Sequence, residues 1–187
     1  MKIISIIYLD TSVWLAFFYK KDPHHEAAKS IVDNANANND VIIFYSTLVL
    51  LEIIDVIRRK YPEKQLYQGN NSAITSQIEN EIERRIKVIL DIFSKWEASG
   101  KARYIDPELT KVIDHHRKTL KNLKICIGDV VCDYENAKYR YKGPGNDDVQ
   151  HALIASDCSV KELFSADKGF DKFILMDDFQ TLKINVI

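Results

Sequence analysis

The sequence has almost no net charge, because 26 lysines and arginines face 27 aspartates and glutamates, which leaves −1 at pH 7. A strongly basic field that would attract nucleic acid to the whole surface is therefore not expected. Cysteine is also scarce. The spacing of Cys126, Cys132 and Cys158 is not that of a metal site. An odd number of such cysteines is typical of free thiols in a reducing cytoplasm.

Long apolar runs are missing as well. No stretch has the roughly 20 consecutive apolar residues of a membrane-spanning helix, and the N-terminus lacks the sections of a signal peptide. We therefore expect a cytoplasmic protein that is not bound to a membrane. Its 187 residues, 46% of them hydrophobic, suffice for one domain over residues 1–187 with a sizeable core.

The first apolar run is the one around which the chain is organised. Residues 3–9 are mostly β-branched or aromatic and do not alternate with polar residues, which is typical of a strand buried on both faces. The run ends at Asp10, which Thr11 and Ser12 follow. In open α/β sheets the ligand crevice lies beyond the carboxyl ends of the strands, so Asp10 is a candidate site residue. The alternative is that Asp10 only caps the next helix.

The remaining pattern alternates strands with helices. Asp22-Pro23 is typical of a helix start, and residues 34–40 of a polar loop. This order predicts an α/β fold with a central, mostly parallel sheet of about five strands covered by helices. The middle section, residues 61–142, is enlarged and predicted to be largely helical. The expected strands are 3–9, 41–45, 102–105, 162–165 and 182–187, and the main expected helices are 47–60, 73–99, 107–123, 130–141 and 148–158.

Three further acids are candidate site residues. Glu52 lies in the helix after the second strand, Asp148 begins a later helix with Asp147 beside it, and Asp167 follows strand 162–165. Taken singly, these residues suit a solvated helix stripe, a helix cap and a turn. Taken together, acids at this density repel one another and need a compensating cation. Oxygen ligands favour a hard divalent ion, Mg²⁺ or Mn²⁺.

Four segments together resemble a known family. They are YLDTSVWLAFF, STLVLLEIIDVIRR, DDVQHALIAS and LFSADKGF, and in this order they resemble the PIN domain, in particular the VapC-type toxin ribonucleases. The resemblance implies a three-layer PIN-like fold. It also implies that four acids bind the metal and act in catalysis, with hydroxyl companions. The acids are Asp10, Glu52, Asp148 and Asp167, the companions are Ser12 and Ser165, the secondary candidates are Thr11 and Asp147, and His151 fits a common form of its helix.

The resemblance implies a metal-dependent endoribonuclease that hydrolyses RNA phosphodiesters, acts as a toxin, forms a homodimer and binds a small antitoxin. Three alternatives stay open: an RNA-processing nuclease without an antitoxin, a phosphatase or phosphotransferase with an aspartyl nucleophile, and a non-catalytic binding module. The phosphatase would need a second acid two residues after Asp10, where Ser12 stands, and a lysine, for which Lys168 is only a candidate.

Positive charge is concentrated late in the middle section. Between Lys101 and Lys142 there are ten lysines and arginines against six acids. At its end Tyr139-Arg140-Tyr141-Lys142 interleaves aromatic and basic residues shortly before Asp148. Tyrosines can stack on bases and the cations can hold phosphates, so this segment is predicted to bind RNA. A helix end with favourable cations is the alternative.

Overall fold

A computed structural model describes residues 4–63, 72–105, 146–170 and 181–187 of the chain. In these ranges five strands form one parallel sheet in the order β3-β2-β1-β4-β5. The predicted α/β fold with a parallel sheet of five strands is therefore confirmed. The strands are β1 (Ser5–Leu9), β2 (Val41–Ser46), β3 (Ala102–Ile105), β4 (Glu162–Ser165) and β5 (Lys183–Val186).

Helices pack against this sheet and against one another. Helix α1 contacts α2, α3 and strand β4, while α2 and α3 contact β2, and α3 contacts α4. None of the helices in the described ranges is long and apolar enough to cross a membrane. The helices are α1 (Thr11–Phe18), α2 (His25–Ala37), α3 (Thr47–Glu63), α4 (Ser72–Ala98) and α5 (Asn146–Asp157).

The order of the strands places a switch in connectivity beside β1. The chain proceeds from β1 outward through β2 to β3, and later returns to the other side of β1 with β4 and then β5. At such a point the connections leave β1 and its neighbour in opposite directions, which opens a crevice at the carboxyl ends of the strands. Asp10 follows β1 and Asp167 follows β4, so both border this crevice.

Burial explains why β1 is apolar at its carboxyl end. Its last three residues, Ile7, Tyr8 and Leu9, are buried in the core. The apolar side of α5 packs into the same core, where Val149, Ala152 and Leu153 are fully buried. The acid-bearing ends of β1 and α5 are therefore fixed by the most buried part of the molecule.

An aromatic cluster holds α1 in place. Trp14 is fully buried, with its ring 4.7 Å from that of Phe93 and 5.5 Å from that of Trp96, both on α4. The ring of Tyr45 on β2 packs against that of Phe93 at a tilt, with 4.4 Å between the centroids. The apolar side of α4 therefore packs into the core, and its contacts with Trp14 orient α1, the helix that begins at Thr11.

Three predicted helix boundaries were wrong. Helix α2 begins at His25 because Asp22 to His25 form a turn, in which the Asp22 carboxylate accepts from the His24 amide at 2.9 Å and the Asp22 carbonyl from the His25 amide at 3.0 Å. It also continues through residues 34–37, expected to be loop, because Ala35 is buried in the core. Helix α5 begins at Asn146, two residues before its predicted start at Asp148. The predicted helices 107–123 and 130–141 lie outside the described residues.

Candidate active site

One pocket gathers the four predicted acids. It has a volume of about 290 Å³ and opens at the carboxyl ends of the central strands. The two acids nearest the core are Asp10, which is 3% exposed, and Glu52, which is half-buried. Asp148 is half-buried and Asp167 is exposed. The lining consists of Asp10, Thr11, Ser12, Leu15, Glu52, Asp55, Val56, Arg59, Asp148, His151 and Asp167.

Asp10 is held by donors on three sides. Its Oδ1 atom accepts from the Ser12 hydroxyl at 2.6 Å and from the Val13 amide at 3.1 Å, so it caps α1 as well. Its Oδ2 atom accepts from the Ser165 hydroxyl at 2.7 Å. Burial raises the pKa of Asp10, whereas the charge of His151 and these hydrogen bonds lower it. Burial dominates, so the pKa lies above its ordinary value.

The same two serines connect Asp10 to the loop that carries Asp167. The Ser12 hydroxyl accepts from the Ala166 amide at 2.7 Å, and the Ser165 hydroxyl accepts from the Asp167 amide at 2.9 Å. Each hydroxyl thus donates to Asp10 and accepts from the backbone after β4. This double use fixes the loop after β4 relative to the end of β1, although the two are more than 150 residues apart in the sequence.

Glu52 is held by a second group of polar side chains. Its Oε2 atom accepts from the Thr11 hydroxyl and lies 2.9 Å from Nε2 of His151. Nδ1 of His151 is 2.8 Å from the Tyr8 hydroxyl, which is 2.8 Å from the Ser46 hydroxyl. His151, Tyr8 and Ser46 are buried, so this chain of hydrogen bonds runs from the core to the pocket.

These contacts shift two further pKa values. Partial burial raises the pKa of Glu52, but the hydrogen bond and charge of His151 and the hydrogen bond of Thr11 outweigh it, so the pKa lies below its ordinary value. Burial raises the pKa of Tyr8 well above its usual range, so its hydroxyl stays protonated. Glu52 is therefore a carboxylate at neutral pH, with Oε2 engaged by Thr11 and His151.

Asp148 and Asp167 approach the same glycine. A Cβ atom on Gly169 would lie 3.1 Å from Oδ2 of Asp148 and 3.1 Å from Oδ1 of Asp167. The Gly169 amide donates to Asp167 Oδ1 at 2.7 Å. The missing side chain at Gly169 thus leaves room for the two carboxylates to flank one point, with Asp148 on α5 and Asp167 after β4.

The sequence matches a family model, and the match decides the family. The model is that of the PIN domain, and it matches residues 7–119, more than half of the chain. The chain belongs to the PIN domain family. The matched range includes Asp10 and Glu52, while Asp148 and Asp167 lie beyond it. A comparison with curated proteins found no match.

Solved structures that are similar to this PIN domain include VapBC2 and the toxin VapC20. VapBC2 from Rickettsia felis, bound to a DNA fragment from its promoter, is 16% identical with a TM-score of 0.52, over 97% of this chain and 98% of that one. VapC20 from Mycobacterium tuberculosis, a toxin that cleaves the sarcin-ricin loop, is 16% identical with a TM-score of 0.50, over 88% and 92%. At 16% sequence identity, the similarity to these structures shows that the fold is shared and no more.

The donor chemistry of the PIN domain site suits a hard cation. Within the described ranges no three His, Cys, Asp or Glu side chains lie close enough together to hold a metal ion by themselves. Mg²⁺, however, usually keeps several waters and is bound through one or two carboxylates. The pair formed by Asp148 and Asp167 beside Gly169, with Asp10 and Glu52 lining the same pocket, fits this way of binding.

The structure brings together most of the predicted site residues. The four acids line one pocket with Thr11 and Ser12, and Ser165 lies directly behind Asp10. The side chain of Asp147 and the whole segment Tyr139, Arg140, Tyr141 and Lys142 lie outside the described residues, so these predictions stand as they were made.

Several residues at the site were missed from the sequence, and Tyr8, Arg59 and Gly169 matter most to its geometry. Tyr8 carried a weak signal, since it brings a hydroxyl into an otherwise aliphatic stretch of β1. Arg59 stands four residues after Asp55, a spacing that indicates only an ion pair on one helix, yet it lines the pocket. Gly169 could be read only as part of a turn, because its closeness to Asp148 depends on the packing of α5 beside β4.

Proposed function

We propose that this PIN domain is an endoribonuclease that hydrolyses RNA phosphodiesters with Mg²⁺ or Mn²⁺, and that it is the toxin of a toxin-antitoxin pair acting in the cytoplasm. The observation that carries the proposal is the convergence of four carboxylates on one pocket at the switch point of the sheet. Their arrangement leaves Asp148 and Asp167 flanking one point, with Asp10 and Glu52 deeper in the same pocket.

Asp148 and Asp167 would hold the ion, with Asp10 and Glu52 lining the same pocket. The ion would supply a water of lowered pKa and offset charge on the phosphate. Asp10 would act as a fixed carboxylate, because the Ser12 and Ser165 hydroxyls and the Val13 amide orient both of its oxygens. Glu52 would act as a second fixed carboxylate, oriented by Thr11 and His151. Attack of water on the phosphorus, in line with the 3′-oxygen that leaves, would give a 5′-phosphate and a 3′-hydroxyl.

The same contacts disfavour an aspartyl-phosphate mechanism. Ser12, which stands where that chemistry needs a second acid, donates to Asp10 and accepts from the Ala166 amide. Both oxygens of Asp10 accept hydrogen bonds, and the residue is 3% exposed, which leaves it poorly placed to attack a phosphate. Hydrolysis assisted by a metal therefore suits the geometry better.

Cleavage of a labelled single-stranded RNA tests the proposal. We expect cleavage with Mg²⁺ or Mn²⁺ and none in EDTA, and products that carry 5′-phosphates. Asp10→Asn should reduce the rate by at least about 100-fold, as expected when a group that acts directly in catalysis is lost. Asp33→Asn, an exposed acid paired with Lys29, is the matched control and should cleave normally. Equal cleavage in EDTA would refute the proposal.

We also propose that the protein forms a homodimer, as the resemblance of its four motifs to VapC-type toxins implies. The similarity to VapBC2 and to the toxin VapC20 supports the toxin role. Its test is expression in a bacterial host, where the wild type should arrest growth and Asp10→Asn should not. A small protein encoded beside this chain should bind it and restore growth. Growth arrest that persists in Asp10→Asn would separate toxicity from the site described above.

A further inference from the structure

The pocket has an excess of negative charge on its walls. Five carboxylates line it, those of Asp10, Glu52, Asp55, Asp148 and Asp167. Among the described residues of the lining, Arg59 alone carries a permanent positive charge. An RNA strand that enters brings more negative charge, so a fixed cation at the entrance would favour its binding.

Arg59 is suitably placed to receive a phosphate. It lies on α3, about two helical turns after Glu52, so both side chains project from the same side of the helix. Its side chain is 69% exposed, which keeps it at the open side of the pocket, whereas Glu52 reaches inward. A guanidinium offers several donors in one plane, which suits the bidentate binding of a phosphate.

In the structure Arg59 is paired with Asp55. Nη2 of Arg59 lies 2.6 Å from Oδ2 of Asp55, one helical turn away, and both side chains are more than half exposed. Exposed pairs of this spacing contribute little to stability, because water screens them and two side chains must be ordered. A phosphate can therefore replace Asp55 as the partner of Arg59 at little cost.

We propose that Arg59 binds a backbone phosphate of the RNA at the entrance of the pocket and that Asp55 holds Arg59 in place until the RNA arrives. The inference rests on the proposed function, since it concerns the substrate of that site. It assigns a binding role to Arg59 and makes Asp55 a competitor of the substrate.

Binding of a fluorescent single-stranded RNA, measured in Ca²⁺ over a range of salt concentrations, tests the inference. Arg59→Gln should weaken binding about tenfold, as the loss of a charge-assisted hydrogen bond does. It should also lower the slope of log affinity against log salt by about 0.7, the value for one phosphate contact on a single strand. Arg59→Lys should keep the slope. Arg58→Gln removes the same charge from the next, exposed position and should change both quantities little.

A double-mutant cycle tests the part played by Asp55. Asp55→Asn should tighten RNA binding in the wild-type background and do so much less in Arg59→Gln, because its effect acts through Arg59. Equal effects of Arg59→Gln and Arg58→Gln would overturn the inference while leaving the proposed function intact. If the wild-type protein neither binds nor cleaves RNA, the proposed function itself fails, and the inference fails with it.

Discussion

Replacing Gly169 by alanine separates the stability of the fold from the geometry of the acids. Gly169 lies in the short 3₁₀ turn Lys168–Phe170, and its φ is not positive, so alanine can adopt the same backbone conformation. Such a change reduces the freedom of the unfolded chain and typically raises the free energy of unfolding by about 0.4–1 kcal/mol. The fold should therefore be as stable as before or slightly more so.

The cost should appear at the carboxylates. The new Cβ atom would lie 3.1 Å from an oxygen of Asp148 and 3.1 Å from an oxygen of Asp167, closer than ordinary van der Waals contact, so both must shift by a few tenths of an ångström. Metal-ligand distances tolerate only about 0.2 Å, and changes around ligands lower metal affinity by roughly 10- to 100-fold. We expect Mn²⁺ affinity to fall about tenfold, which corresponds to about 1.4 kcal/mol.

Gly100→Ala supplies the opposite control. Gly100 has a φ of 71° and no atom within 4 Å of its added Cβ. Alanine there should cost about 1 kcal/mol or more through backbone strain, a loss of about 2–4 °C in Tm for a domain of this size, and leave Mn²⁺ affinity unchanged. Thermal unfolding in EDTA and calorimetric titration with Mn²⁺ measure the two quantities. If Gly169→Ala binds Mn²⁺ like the wild type, Asp148 and Asp167 do not hold the ion together.

Two further changes probe the polar groups behind the acids. Tyr8→Phe leaves the Ser46 hydroxyl and Nδ1 of His151 without this buried partner, so denaturant unfolding should show a loss of about 1–3 kcal/mol; adding Ser46→Ala should cost little more, and fully additive losses would argue against the chain of hydrogen bonds. Asp10→Asn should gain stability over the wild type as the pH rises. Because the pKa of Asp10 is raised in the folded state, its ionisation costs stability above about pH 4, and the asparagine does not ionise. If the free energies of unfolding of Asp10→Asn and the wild type differed by the same amount at every pH from 3 to 8 in EDTA, the raised pKa of Asp10 would be contradicted.

The sequence predicted the fold well where burial leaves a local signal. The run at residues 3–9 indicated a strand buried on both faces, and β1 is the central strand of a parallel sheet. The pairing of β1 with β4 was not predictable, because it joins residues more than 150 positions apart. The start of α2 was missed because Asp22-Pro23 is equally compatible with a turn, and the competing contacts of His24 and His25 decide between them.

The acids stood out in the sequence because Asp10 and Asp167 follow apolar strands, Glu52 interrupts an apolar helix and Asp148 begins one. Their supports were less predictable, since a hydroxyl such as that of Tyr8 or Ser46 looks the same in the sequence whether it faces water or a buried histidine. Glu52 illustrates the difference. No cation stands one helical turn from it in the sequence, yet His151 reaches it from α5, 99 residues away. Long-range contacts of this kind decide which acids are fixed and cannot be read from helical spacing.

The four acids are held in place in two physically different ways. Asp10 and Glu52, on the buried side, are oriented by hydroxyls, an amide and an imidazole, so their positions depend on particular side chains that water cannot easily replace. Asp148 and Asp167 lie on the more open side, where Gly169 leaves room for both carboxylates. Side-chain substitutions behind the first pair should therefore change stability and function together, because they leave buried polar groups without partners. An added methyl group beside the second pair should change metal binding alone, which is why the comparison of Tyr8→Phe with Gly169→Ala distinguishes the two halves of the site.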